Sequence, residues 1–156
     1  MTQYEKLIQE ADEDGITIEP SYGFKSEHIK GLYCDGTVAL NKNIETDTER
    51  ACVLAEEIGH HYTAVGNIID LQDIRNIKQE QKGRIWAYDK MIGLIGIINA
   101  YERHCLNRSE MAEFLDVTEE FLQDALNYYK QKYGVFTVLD HYVIYFEPCL
   151  SIVEMY

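Results

Sequence analysis

The stretch Ala51-Cys-Val-Leu-Ala-Glu-Glu-Ile-Gly-His-His-Tyr-Thr63 constrains this chain more than any other. Ala51, Leu54, Ile58 and Tyr62 recur at the spacing of one helical face. A helix here puts Glu56 and His60 one turn apart on one face, and Glu57 and His61 on the next. A zinc peptidase uses that spacing to hold a divalent cation with its i and i+4 side chains. The glutamate after the first ligand then takes a proton from the water the cation holds. In the usual motif the first ligand is histidine; here Glu56 stands in its place. The block is therefore HExxH with its first letter changed. Glu57 falls at the general base, and Glu56 and His60 fall at the two helix ligands.

Each of these residues also has an ordinary reading. Adjacent histidines can be one surface ring beside a half-buried one, the two glutamates can be solvated charges, and Glu-x-x-x-His recurs by chance. The surroundings weigh against that. Ala55 and Gly59 are small enough to admit another element, and a pair of short strands comes just before. Glu80 lies on a later helix, after a connection long enough for the chain to fold back. Zinc accepts carboxylate oxygen as well as imidazole nitrogen. A Glu56/His60/Glu80 donor set is more anionic and harder than His/His/Glu, so it is expected to bind zinc more weakly and to tolerate manganese or magnesium better. Asp70 and Asp73, in the connection, are the next candidates for a third ligand.

The rest of the chain supplies a frame for this helix. Tyr4, Leu7, Ile8 and Ala11 fit one face of a short helix that Asp14-Gly15 ends. Ile16 to Ile18 is a brief strand closed by Pro20, and Gly31 to Asn41 reads as a hairpin about Asp35-Gly36. Thr46-Asp47-Thr48 opens the motif helix with capping groups. Gly66 to about Ile77 reads as a loop and a helix starts at about Lys78, with Gly93 and Gly96 breaking it from a third through Tyr101 and His104. Short helices from Glu110 to Leu115 and Thr118 to Tyr133 follow across a three-residue corner. Val135 to Phe146 forms one or two strands, and Pro148 stops them.

At 156 residues with 46% hydrophobic content and 12 tyrosines, the chain is a single globular domain, 1–156, rather than a disordered segment. Within it, residues 1–92 form the core that carries the motif, and 93–156 a helical C-terminal part with terminal strands. Met91 to Ile98 is the longest apolar run, too short for a bilayer and broken by two glycines. With acidic residues where a signal peptide carries a basic flank, the expected location is cytoplasmic, with no membrane partner. Four scattered cysteines without a CxxC pair fit buried thiols in a reducing compartment. A formal charge of -13 argues against nucleic acid as the main partner.

The sign of the charge is uneven. Residues 65–108 carry seven Lys and Arg against five Asp and Glu, whereas 109–156 carry two against nine. The two helices from Glu110 and Thr118 have helix-turn-helix spacing. The second, however, starts with Glu119, Glu120 and Asp124, where a DNA-reading helix presents Lys, Arg, Asn or Gln. A protein-docking or purely structural role is expected for this unit, with Phe121, Leu122, Ala125, Leu126 and Tyr129 packing inward.

The sequence resembles the ImmA/IrrE family of metallo-endopeptidases, in particular the compact versions of temperate phages and mobile elements in Firmicutes. The likeness rests on Gly31-Leu-Tyr-Cys-Asp35 with Val38 to Asn43, and on Cys52 to Thr63. It continues through Lys78-Gln-Glu80 with Trp86-Ala-Tyr88, Glu110 to Leu122, and Tyr145-Phe-Glu-Pro148. It implies an α+β fold: a zincin-like core, in which a small antiparallel or mixed sheet packs on the motif helix, followed by a mainly helical C-terminal part. It further implies zinc, or manganese or another divalent cation, held by Glu56, His60 and Glu80, with Glu57 as general base. Lys82 falls where some members carry another glutamate. The partner implied is a repressor protein encoded with the phage or element, cleaved to relieve repression. The alternative is a binding protein that kept the fold, lost tight zinc, and relieves repression by holding the repressor.

Overall fold

The computed structural model describes residues 1–63 and 74–156, with only the backbone of 74–77. It is an α+β chain that divides into two compact units, Met1–Lys90 and Met91–Tyr156. Among the described residues, no helix is long and apolar enough to cross a membrane.

The first unit begins with α1 (Gln3–Glu13). Thr2 and Glu5 cap it reciprocally: the Glu5 N–H donates to the threonine hydroxyl, and the Thr2 N–H donates to the Glu5 carboxylate. Leu7 and Ala11, one turn apart, are its buried stripe. Strands β1 (Thr17–Tyr22), β2 (Gly31–Cys34) and β3 (Thr37–Asn41) form a mixed sheet in the order β1-β3-β2. The β2–β3 hairpin turns through Asp35 and Gly36, both at positive φ (46° and 77°), the backbone of a tight turn whose twist matches that of its strands. β1 pairs parallel with β3, Ile18 opposite Val38, and runs on past Pro20 to Tyr22. The expectation that Pro20 closes this strand is thus corrected. β1 is an edge strand, where a residue without an N–H leaves no ladder bond unmade.

Val38 and Leu40 of the central strand are fully buried. Over them lies α2 (Asp47–Thr63), with the Thr46 hydroxyl accepting from the Glu49 N–H at its start. Ala51, Leu54, Ala55 and Ile58 are its packed face. The last element of the unit, α3 (Ile74–Met91), starts about a turn earlier than the sequence indicated. Asp70 and Asp73 lie outside the described residues, as does most of the connection.

The second unit holds α4 (Gly93–Glu102), α5 (Arg108–Leu115), α6 (Glu119–Tyr133) and an antiparallel sheet β4-β5-β6 (Phe136–Leu139, Tyr142–Tyr145, Ser151–Glu154). Ile92 alone lies between α3 and α4, and Gly93, at φ 62°, opens α4. Gly96 does not break α4, contrary to expectation. It is buried inside the helix, and a Cβ there would stand 3.2 Å from a Leu115 methyl, so the glycine admits α5 rather than ending α4. Asn107 and Thr118 cap α5 and α6 by accepting from Glu110 N–H and Phe121 N–H. Phe121, Leu122, Ala125 and Tyr129 are buried along α6, whereas Leu126 is only half-buried. Pro148 does not end the strands, contrary to expectation: β6 follows it and pairs with β5, Ile144 opposite Ile152.

Candidate metal and acid–base site

The site is built where α2 crosses α3, and two glycines set how closely they approach. A Cβ on Gly59 of α2 would collide with the backbone carbonyl of Gly83 on α3. One on Gly83 would collide with the imidazole of His60, lying 2.5 Å from its Cε1. Glycine at both positions lets the backbones close on each other with the His60 ring filling the space between. His60 is accordingly 3% exposed. The small Gly59, read as able to admit another element, is where α3 approaches. The His60 side of the helix is covered by α3, and Tyr62, assigned to the packed face, is 46% exposed.

From this seat His60 Nε2 lies 3.1 Å from Glu80 Oε2. Glu80 sits just under one turn before Gly83 on α3, so the residue that makes room for the ring and the residue that meets its nitrogen share one stretch of helix. Arg84 stands 4.0 Å from the other Glu80 oxygen. The hydrogen bond from His60, opposed by burial and helped by the His60 and Arg84 charges, holds the Glu80 carboxyl below its usual value. Burial pulls His60 down, but the Glu80 bond and the charges of Glu57, Glu80 and Glu56 outweigh it and leave the imidazole above its usual value. The buried His60 Nδ1 has no hydrogen-bond partner among the described residues.

Glu57 sits beside this pair against β2. A Cβ on Gly31 would meet its Cγ at 3.1 Å and its Oε1 at 3.3 Å, so the glycine in that strand leaves the carboxyl its place. Burial pushes the Glu57 carboxyl up to about 7. The His60 charge pulls against this, Glu80 and Glu56 add to it, and a hydrogen bond from the Tyr33 backbone N–H opposes it. A carboxyl titrating near neutrality can both take and give a proton at physiological pH.

The structure thus brings His60 and Glu80 into contact, with Glu57 near enough for its charge to act on His60. Glu56, half-buried on α2, is near enough for its charge to act on both Glu57 and His60. Among the described residues, no three His, Cys, Asp or Glu side chains are drawn together closely enough to hold an ion. The fit to a cation is therefore with two donors in place. Ligands bonded to zinc at about 2.0–2.2 Å in a tetrahedron lie about 3.3–3.6 Å apart, close to the separation of His60 Nε2 and Glu80 Oε2. Three carboxylates act electrostatically on one imidazole here, an excess of negative charge that a divalent cation would relieve.

One pairing was missed at the level of sequence. The Gly36 N–H donates to the Tyr33 hydroxyl oxygen (3.1 Å), and the same hydroxyl is hydrogen-bonded to His61 Nδ1, 2.8 Å away. That bond ties the His61 ring to the hairpin, with its Nδ1 engaged by β2. The hairpin was legible, but a tyrosine two residues before its turn gives no sign of which helix its hydroxyl reaches. Comparison of the chain with protein-family models, curated proteins and solved structures gave no match.

Proposed function

We propose that this protein is a metal-dependent endopeptidase with a zincin-like core, of the ImmA/IrrE type, acting on a repressor encoded with its own phage or mobile element. The observation that carries the reading is the 3.1 Å approach of His60 Nε2 to Glu80 Oε2, with the Glu57 carboxyl beside it and raised to about 7. His60 and Glu80, with Glu56 as third donor, would hold zinc or manganese. Bound there, such an ion acidifies water and polarises a peptide carbonyl.

The chain's own residues supply the proton transfers and the orientation. Glu57, ionised at neutral pH in about half of the molecules, accepts the proton of the attacking water and returns it to the leaving amine. Gly31 leaves that carboxyl its place against β2, which orients it before substrate arrives. α3 buries His60, which keeps bulk water from competing for the ring.

The test is to incubate the purified protein with the repressor of the same element and look for fragments by mass spectrometry. Cleavage that a chelator stops and added zinc or manganese restores is the expected result. The second reading, a binding protein that relieves repression without cutting, is favoured by Glu56 standing where histidine is usual. It would be established by an intact repressor that nonetheless leaves its operator on adding this protein.

A further inference from the structure

A groove in the second unit, with a volume of about 460 Å³, has a lining unlike the rest of that unit. Residues 91–156 carry ten Asp and Glu against four Lys and Arg, yet no carboxylate side chain lines the groove, and two of the four cations, Arg108 and Lys130, do. Arg108 makes no ion pair among the described residues, and Lys130 is bridged to Glu147 at 3.2 Å with both side chains about half exposed. Such a surface pair contributes little and exchanges readily with a competing carboxylate.

One wall is a stripe of α6. Gln123, Leu126, Asn127 and Lys130 fall at i, i+3, i+4 and i+7, a single face two turns long. That span is about 10 Å, the length of about three residues of extended chain. Another part of the lining is β6. Its first two residues, Ser151 and Ile152, border the groove in succession, with Leu150 just before the strand. Since neighbouring residues of a strand point to opposite faces, a cavity that touches consecutive positions runs along the strand's edge. β6 is an end strand of β4-β5-β6, paired on one side only. Its outer N–H and C=O groups form a row ready to accept another strand.

From this we infer that the groove binds an extended peptide segment of a partner protein, acidic and aliphatic in alternation, which adds to the edge of β6. Its backbone pairs with β6, its aliphatic side chains lie on Leu126 and Ile152, and its carboxylates meet Arg108 and Lys130. An unpaired strand edge favours a peptide over a small amphiphile, because only a peptide backbone repeats donors and acceptors at the strand's spacing. The inference is independent of the acid–base site in the first unit.

The test uses the full chain and three fluorescent, end-blocked hexapeptides: Glu-Leu-Glu-Val-Glu-Leu, the same with lysine for glutamate, and the acidic one N-methylated at alternate amides. The acidic peptide should bind at least about tenfold more tightly than the basic one and weaken as salt rises. N-methylation should weaken it about tenfold or more, by removing donors that pair with β6. The double variant Arg108→Glu, Lys130→Glu should weaken the acidic peptide by a similar factor, with an unchanged circular dichroism spectrum since both side chains are exposed. Equal binding of acidic and basic peptides, indifference to N-methylation or to the charge reversal, or no peptide binding at all would overturn the inference. So would laurate binding in place of every peptide, which assigns the groove to a small amphiphile. Dimerisation of the protein abolished by the same double variant would likewise overturn it, assigning the groove to a second copy.

Discussion

Gly83→Ala will destabilise the first unit by about 1–3 kcal/mol and loosen the site at the same time. The added methyl would fall on the His60 ring, which cannot retreat: it is 3% exposed and lies where Gly59 and Gly83 bring two backbones together. Either the helices part, which removes buried contacts along α2, or His60 leaves its rotamer and loses Glu80. For a unit of this size the expected drop in melting temperature is about 4–8 °C per kcal/mol. Zinc affinity should fall about 10–100-fold, as when a group that orients a ligand is disturbed. Lys82→Ala, at the exposed position next door, is the control and should change neither quantity. A Gly83→Ala protein with wild-type melting and metal affinity would mean that α3 does not seat His60.

Glu57→Gln should lower the rate of peptide hydrolysis about 10²–10⁴-fold, the contribution of a positioned general base. It should do so without unfolding the protein, and in the metal-free state it should even stabilise it. The sign follows from the raised pKa. A carboxyl at about 7 in the folded chain and about 4.5 in the unfolded one keeps its proton better when folded. Its stabilising contribution is therefore complete below about pH 4.5 and is lost as pH rises through about 7. Glutamine mimics the protonated form at every pH. Metal-free Glu57→Gln should melt with wild type at pH 4.5 and exceed it at pH 8 by about 1–3 kcal/mol. If it is less stable than wild type at pH 8, the ionised Glu57 is better solvated than its packing against β2 implies.

What was legible in the sequence was what depends on near neighbours. Asp35-Gly36 marks a turn because few residues tolerate positive φ, and Thr46 and Thr118 mark helix starts because their side chains cap the chain that follows. The spacing of Glu56, Glu57 and His60 fixes their relative directions on α2 whatever packs there. It could not say that the His60 side would be covered. That depends on Gly83, 23 positions away, and a lone glycine in a helical pattern reads as a weakness before it reads as a close approach. Gly59 carried the same message and was readable, since a small residue inside the motif has no other use. β6 was missed for a similar reason: Ile152 and Val153 favour a strand, but a run of four residues is too short to read as one until it pairs with β5. The groove was hidden by averaging, because residues 91–156, with ten Asp and Glu against four Lys and Arg, conceal a concavity lined by two of those cations.

The central claim is that His60 and Glu80, aided by Glu56, hold a divalent cation beside Glu57. Calorimetric titration of the metal-free protein with zinc, and separately with manganese, tests it most directly. One ion per chain is expected, with zinc weakened about tenfold or more by Glu80→Gln. Glu56→His should tighten zinc relative to manganese, because imidazole is the softer donor. A wild-type protein that takes up neither ion, or one whose affinity is the same in Glu80→Gln and His60→Ala, would contradict the claim.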